Sequence, residues 1–238
     1  MKIILAIPVY NEEAVLADKI QTLWDFCSKN LSADEVVIVI ANNNSTDGTA
    51  QVAEKLSAAN PAIKHLFIPQ KGKGMAIASA WKNYEADIYG FMDADLSTDL
   101  SALPLAIGEI KKESDLVIAS RFHKESIVER SLLRQIFSQG YRWFFKILFL
   151  MKLNDFPCGF KVANRKVRDM ALEKISETGF FWDTEMLVLA DKAGFKIKEI
   201  PITWRECHDP NRLSHVNILK TSLNYIKQSF RLRWRLLK

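Results

Sequence analysis

Cysteine is scarce in this chain: Cys27, Cys158 and Cys207 are the only three in 238 residues. An odd number at wide spacing makes neither a disulfide framework nor a zinc ligand set, and it fits a reducing compartment. Long apolar runs are also missing. The greasiest stretch, Trp143 to Leu153, is cut by Lys146 and Lys152, well short of the ~18 residues that mark a membrane span. The opening Met-Lys-Ile-Ile-Leu-Ala-Ile imitates a signal peptide only until Pro8, Asn11, Glu12 and Glu13 interrupt it, so a strand is the better reading. No Gly-x-x-x-x-Gly-Lys-Ser/Thr occurs, and Ile77 stands where a dinucleotide fingerprint beginning at Gly72 needs its third glycine. Those two gaps disfavour an NTPase and a dehydrogenase. Acid is absent from Asn217 to Lys238, which carries six basic residues. The formal charge of +5 is therefore a local feature of the C-terminal end, the rest being nearly neutral.

With 48% hydrophobic residues the chain can bury a large core, so disorder is excluded as its main state. Short apolar runs alternate with amphipathic stretches through the first half. Strands are expected near Lys2 to Ile7, Glu35 to Ile40, Ile63 to Ile68, Asp87 to Met92 and Asp115 to Ala119. Between them, Glu12 to Lys29, Asp47 to Ala59, Gly74 to Tyr84 and Leu100 to Lys112 have helical spacing, which is the α/β pattern of a mostly parallel sheet. The second half predicts a basic, aromatic helix from Ser131 to Lys152 and a strand at Phe160 to Ala163. Helices at Lys166 to Lys174 and Phe181 to Ala193, a strand at Lys196 to Thr203 and a helix at Val216 to Leu237 follow. One domain over 1–216 with a basic amphipathic helix over 217–238 is the expected organisation.

Open parallel sheets bind ligands beyond the carboxyl ends of their strands, and here those ends are polar. Strand one runs into Pro8-Val9-Tyr10-Asn11-Glu12-Glu13, strand two into Asn42-Asn43-Asn44-Ser45-Thr46-Asp47-Gly48-Thr49, and strand four into Asp93-Ala94-Asp95-Leu96-Ser97. Ser45-Thr46-Asp47 and Glu12-Glu13 are explained equally well as helix-start devices. Asp93 and Asp95 are harder to explain that way, because carboxylates closing an apolar strand need a partner. A hard divalent cation shared with phosphate oxygens suits them, and a loop salt bridge or Asx-turn is the alternative. Lys71-Gly72-Lys73-Gly74 precedes a helix and would turn backbone N–H groups and two ammonium groups toward an anion.

In this order, Pro8 to Glu13, Asn42 to Thr49, Gly72-Lys73-Gly74, Asp93-Ala94-Asp95 and Ser120-Arg121 resemble the inverting nucleotide-sugar glycosyltransferases of the GT-A fold. Asp155, Cys158-Gly159-Phe160-Lys161, Trp182-Asp183-Thr184-Glu185 and Glu199-Ile200-Pro201-Ile202 narrow the likeness to dolichol-phosphate mannose synthases and dolichol-phosphate glucosyltransferases. The resemblance implies that Asp93 and Asp95 hold Mg2+ or Mn2+ against the donor diphosphate. It implies that Pro8, Tyr10, Glu12 and Asn42 embrace the nucleoside and that Lys71 to Gly74, with Lys73, border the diphosphate. It also implies that Arg121 and Arg134 meet phosphates and position the acceptor, with Arg130 competing for the second place and Arg212 as a further candidate for the diphosphate. Two departures stand out: Asn42-Asn43-Asn44 replaces the usual Asp-Asp, and Ser97 replaces a glutamine of the mannose synthases. A carboxylate suits the paired N–H donors of guanine, whereas an amide suits uracil, so a UDP-sugar is expected over GDP-mannose.

A polyprenyl phosphate acceptor, dolichyl or undecaprenyl, attacks as an anion and needs no strong base. A saccharide hydroxyl does need one, and Asp183 or Glu185 would then serve. A third reading is a nucleotide-sugar-binding protein without catalysis. The stretch Ser131 to Lys152, with Arg134, Arg142, Lys146 and Lys152 among Trp143, Phe144, Phe145 and Phe149, is either core or an interfacial helix. With the tail Arg231 to Arg235 it suggests a protein on the cytosolic face of a membrane, peripheral and otherwise cytoplasmic. No nucleic-acid partner is expected, since an acidic pocket has no role there. A membrane-protein partner or homo-oligomer is compatible with the same surface.

Overall fold

The computed structural model describes residues 1–129, 132–205 and 218–237. The expected domain boundary at 216/217, and with it Arg130 and Arg212, lies outside these residues. Nine strands and eight helices are assigned among the described residues. The strands are β1 (Lys2–Val9), β2 (Glu35–Asn42), β3 (Ile63–Phe67), β4 (Ile88–Met92), β5 (Leu116–Ala119), β6 (Ile127–Glu129), β7 (Phe160–Asn164), β8 (Ile197–Ile200) and β9 (Thr203–Arg205). The helices are α1 (Leu16–Asn30), α2 (Thr49–Ala59), α3 (Lys73–Asn83), α4 (Ala102–Lys111), α5 (Leu132–Phe149), α6 (Arg165–Lys174), α7 (Trp182–Lys192) and α8 (Ile218–Arg235).

Seven strands form one sheet in the order β3-β2-β1-β4-β7-β5-β8, in which β7 alone runs antiparallel to its neighbours. The run Ile3 to Ile7 is uninterruptedly apolar because both faces are covered. Ile3, Leu5, Ile7 and Val9 join Leu16, Ile20 and Leu23 of α1 and Leu103, Ala106 and Ile107 of α4. Ile4 and Ala6 face the opposite layer, with Trp81 of α3, Phe145 and Phe149 of α5, Met186 of α7 and Leu232 of α8. The strand order reverses between β1 and β4, so a crevice opens where those two strands end, at Val9 and Met92.

The expected last strand of the sheet is two strands, because Pro201 cannot donate to a ladder. β8 pairs with β5, and β9 leaves to pair with β6, a three-residue strand that no apolar run announces. α5 has one buried and one exposed apolar face: Phe145 and Phe149 are buried, while Ile136, Trp143 and Ile147 are exposed. α8 packs beside it through Tyr141–Tyr225 and Phe144–Phe230 ring contacts. It is anchored by the Tyr225 hydroxyl, which donates to Phe180 O at 2.8 Å, and by Arg235 on Glu185.

Candidate active site

Three residues with left-handed backbone, Asn11 (φ 54°), Asn44 (φ 57°) and Leu96 (φ 54°), turn the chain just past β1, β2 and β4. Asparagine tolerates this conformation, whereas for leucine it is a strain of about 1–3 kcal/mol. Leu96 follows Asp95 directly, and the turn is tied by Leu96 N–H on Asp93 O at 3.2 Å and Ser97 N–H on Asp95 Oδ1 at 3.0 Å. Asp95 therefore makes the Asx-turn.

Asp93 extends β4 by one residue, its N–H donating to Gly159 O at 3.1 Å. Its Oδ1 takes the Lys73 ammonium at 2.5 Å, yet the carboxylate remains 45% exposed. A Cβ on Gly159 would collide with Asp93 Oδ2, so only glycine admits the carboxylate here. Burial alone would depress the Lys73 pKa, but Asp93, Asp183 and Asp95 outweigh it and hold the pKa above its usual value. Two carboxylates and one ammonium converge, a hard-oxygen donor set that fits a divalent cation. Among the described residues no third His, Cys, Asp or Glu joins them, so an ion at this place would need further oxygens from a ligand.

The polar runs after β1 and β2 largely bind each other. Asn11 N–H donates to Ser45 Oγ at 3.0 Å, and Asn11 Oδ1 accepts from Thr46 N–H at 2.8 Å. Glu12, buried, donates its N–H to Thr49 Oγ1 at 2.9 Å, and Glu13 accepts from Gly48 N–H at 2.8 Å. Asn42 is wholly buried, its Oδ1 accepting from Ser45 N–H at 3.0 Å and its amide nitrogen 3.5 Å from His65 Nε2. That corrects the expectation of a free amide edge at Asn42: its oxygen already shapes the loop. Pro8 and Tyr10 sit half-buried at the rim. The Tyr10 hydroxyl receives Lys71 Nζ at 2.5 Å, and this bond lowers its pKa.

The start of α3 is likewise not an open anion cradle. Gly72 N–H donates to Asn43 Oδ1 at 2.7 Å, Gly74 N–H to Gly179 O at 3.1 Å and Met75 N–H to Thr178 O at 2.9 Å. The expected backbone donors are used internally because the 178–179 loop caps the helix, and the cations of Lys71 and Lys73 remain at the crevice.

Arg121 follows β5 and forms a two-pronged pair with Asp155, Nε to Oδ2 and Nη2 to Oδ1 both at 2.8 Å, while its N–H also donates to Oδ2 at 2.9 Å. Asp155 is fully buried. Burial would lower the Arg121 pKa; Asp155 outweighs it and holds it well above the ordinary value, with smaller help from Cys158 and Asp93. Arg134 lies in α5, but its side chain is outside the described set.

Asp183 and Glu185, the expected bases, are both buried. Asp183 Oδ2 meets Lys161 Nζ at 3.3 Å, and that ammonium also donates to Phe156 O at 3.0 Å and Cys158 O at 2.6 Å. Glu185 accepts from Ser176 N–H at 3.1 Å and Glu177 N–H at 3.2 Å and is clamped by Arg235. Glu185 therefore ties α7 to α8 and a loop, with both of its oxygens already hydrogen-bonded. Lys161 was not singled out for a role, although a lysine inside Phe-Lys-Val-Ala announces a buried counter-charge.

A family model described as "Glycosyl transferase family 2" matches residues 4–170. The chain is 26% identical over 238 residues to glycosyltransferase AglD of Haloferax volcanii, covering 99% of itself but 38% of that protein. It is 28% identical over 226 residues to the dolichyl-phosphate beta-glucosyltransferase of Saccharomyces cerevisiae, covering 85% of itself and 66% of that protein. Among solved structures, glucosyl-3-phosphoglycerate synthase of Mycobacterium tuberculosis, crystallised with Mn2+, UDP-glucose and phosphoglyceric acid, superposes with TM-score 0.72. At 17% identity it covers 98% of this chain and 79% of that one, which establishes the same α/β architecture.

Proposed function

We propose that this chain, which belongs to glycosyl transferase family 2, moves one sugar from a nucleotide-sugar donor to the phosphate of a polyprenyl lipid, inverting the anomeric centre. The carrying observation is the separation of charge across one crevice, with Asp93 and Asp95 beyond β4 and Arg121 beyond β5. An anionic acceptor phosphate finds cations on the Arg121 side and needs no residue to take its proton. A phosphate oxygen forms a bond to the anomeric carbon while the bond to the donor's β-phosphate oxygen breaks, the electron pair leaving with the nucleoside diphosphate. Lys71 and Lys73 meet that growing negative charge. Asp93 and Asp95 would hold a Mg2+ or Mn2+ ion, which when bound neutralises charge on the departing diphosphate. Glu185 is clamped by Arg235 and Asp183 is buried against Lys161, so neither stands exposed in the crevice as a base, which favours an acceptor that needs none.

A uridine nucleotide is proposed over GDP-mannose on the glucosyl transfer in the yeast relative's name; the amide oxygens of Asn42 and Asn43 are already bonded within the protein. A membrane surface is proposed as the place of reaction. No helix among the described residues is long and apolar enough to cross a bilayer, yet Trp143 and Ile147 of α5 and Phe230 and Trp234 of α8 are exposed. Lys227, Arg231 and Arg233 accompany them on α8, the composition of an interfacial helix pair on the cytosolic leaflet.

The test is a panel of radiolabelled UDP- and GDP-sugars with a membrane lipid extract, scored in the organic phase with and without EDTA. EDTA-sensitive label from a UDP-hexose is expected. Label that stays in water-soluble saccharide, or no turnover of any donor, would overturn the reading.

A further inference from the structure

Beside the Arg121–Asp155 pair lies a second polar network that the reaction as described does not use. Asn154 Oδ1 accepts from Arg142 Nη2 at 2.7 Å and from Lys146 Nζ at 2.8 Å. Two cations on successive turns of α5 thus converge on one neutral oxygen. Glu199 stands behind it, its Oε2 taking Asn154 Nδ2 at 2.7 Å and its Oε1 taking Asn154 N–H at 2.9 Å and Asp155 N–H at 3.2 Å.

Among the described residues the hydrogen bonds of Arg121, Arg142 and Lys146 lead only to Asp155 and, through Asn154, to Glu199, and neither Arg142 nor Lys146 has a carboxylate in ion-pair range. Arg142 is also short of acceptors: its Nε is buried without a hydrogen-bond partner. Its guanidinium lies 5.1 Å from the ring of Phe122 and 5.9 Å from that of Trp143. Aromatic faces hold the group in place but accept no conventional hydrogen bond. A partly buried network with a surplus cation and an unmet donor is suited to an oxyanion.

Its place in the fold identifies which one. Arg142 rests on Phe122, next in chain to Arg121, and is bonded to Asn154, next in chain to Asp155. Trp143, between the two cations in the fold, is exposed on the apolar side of α5. The network therefore borders the crevice on one side and the membrane-facing helix surface on the other. We infer that Arg142 and Lys146, braced by Asn154 and Glu199, form the seat for the phosphate of the lipid acceptor, delivering it to the Arg121 side of the crevice. This rests on the proposed lipid-phosphate acceptor and assigns its headgroup to particular side chains.

Binding of a short-chain polyprenyl phosphate in detergent micelles, of the matching polyprenol and of phosphatidylglycerol vesicles is measured without nucleotide for the full chain, Arg142→Met and Lys146→Met. Charged hydrogen bonds contribute about 1.5–3 kcal/mol, so each variant is expected to weaken polyprenyl phosphate binding at least about tenfold. Polyprenol, vesicle and UDP binding should not change. Lys146→Met keeps the aliphatic stem and so tests the seat even if Arg142→Met fails to fold. Unchanged lipid-phosphate affinity, equal weakening for polyprenol, or a loss confined to vesicles would each overturn the seat. A parent chain that binds the lipid phosphate but transfers no sugar would defeat the proposed function and leave the seat standing. Variants with an unchanged KM for lipid phosphate in an active enzyme would do the reverse.

Discussion

The Asp93 carboxylate occupies the volume into which a side chain on Gly159 would project. Asp93 directly follows β4 and Gly159 directly precedes its antiparallel neighbour β7, and the two are joined by Asp93 N–H on Gly159 O at 3.1 Å. Glycine at 159 is thus a spatial requirement of the acidic site rather than of a turn, and it links the Cys158-Gly159-Phe160 motif to the Asp-Ala-Asp motif.

Gly159→Ala should push the Asp93 carboxylate out of place while leaving the sheet folded. Overpacking of this kind costs about 1–3 kcal/mol of stability, and with the carboxylate displaced Mn2+-dependent UDP affinity should fall by about tenfold for each 1.4 kcal/mol of ion coordination lost. Calorimetric titration checks it, and unchanged affinity in a folded variant would contradict the packing argument.

Lys73 and an incoming divalent ion compete for Asp93 Oδ1, since the ammonium already lies 2.5 Å from it. Lys73→Met should therefore bind Mn2+ more tightly than the parent in the absence of nucleotide, by about tenfold, while binding UDP less well. Paramagnetic resonance of free Mn2+ gives the first quantity directly. Weaker Mn2+ binding would mean that the ammonium supports the ion site instead of competing for it.

The Arg121–Asp155 pair is buried and bonded twice. Breaking such a pair from one side leaves a charge uncompensated and costs about 3–5 kcal/mol. Asp155→Asn should lose roughly that much in urea denaturation. A loss below about 1 kcal/mol would show that water reaches the guanidinium.

Much of this was legible in the chain. The seven-stranded α/β architecture follows from apolar runs buried on both faces, and Asp93 and Asp95 were marked by carboxylates closing such a run. Other parts were hidden by sequence distance. Nothing local shows that Asn154 will meet Glu199, or that Thr178 and Gly179 will take the first N–H groups of α3. Asn42 looked like a ligand contact because it ends a strand, but tertiary packing buried it against Ser45. Lys161 carried a readable signal, a charge inside an apolar strand, whose partner Asp183 only the fold reveals.

The exposed apolar face of α5 and α8 can be tested without disturbing the core. Ile147 and Leu223 are 71% and 70% exposed, so Ile147→Ser with Leu223→Ser should leave thermal stability nearly unchanged. Flotation with phosphatidylglycerol vesicles should drop several-fold. Undiminished flotation would remove these helices from the membrane account.

The most direct test of the central claim is a crystal soaked in Mn2+ and UDP and examined for anomalous scattering. An ion in direct coordination with Asp93 and Asp95 and with the diphosphate, Lys73 having left Oδ1, is the predicted result. A diphosphate bound with no ion at either carboxylate, or an empty crevice with Lys73 still on Asp93, would contradict it.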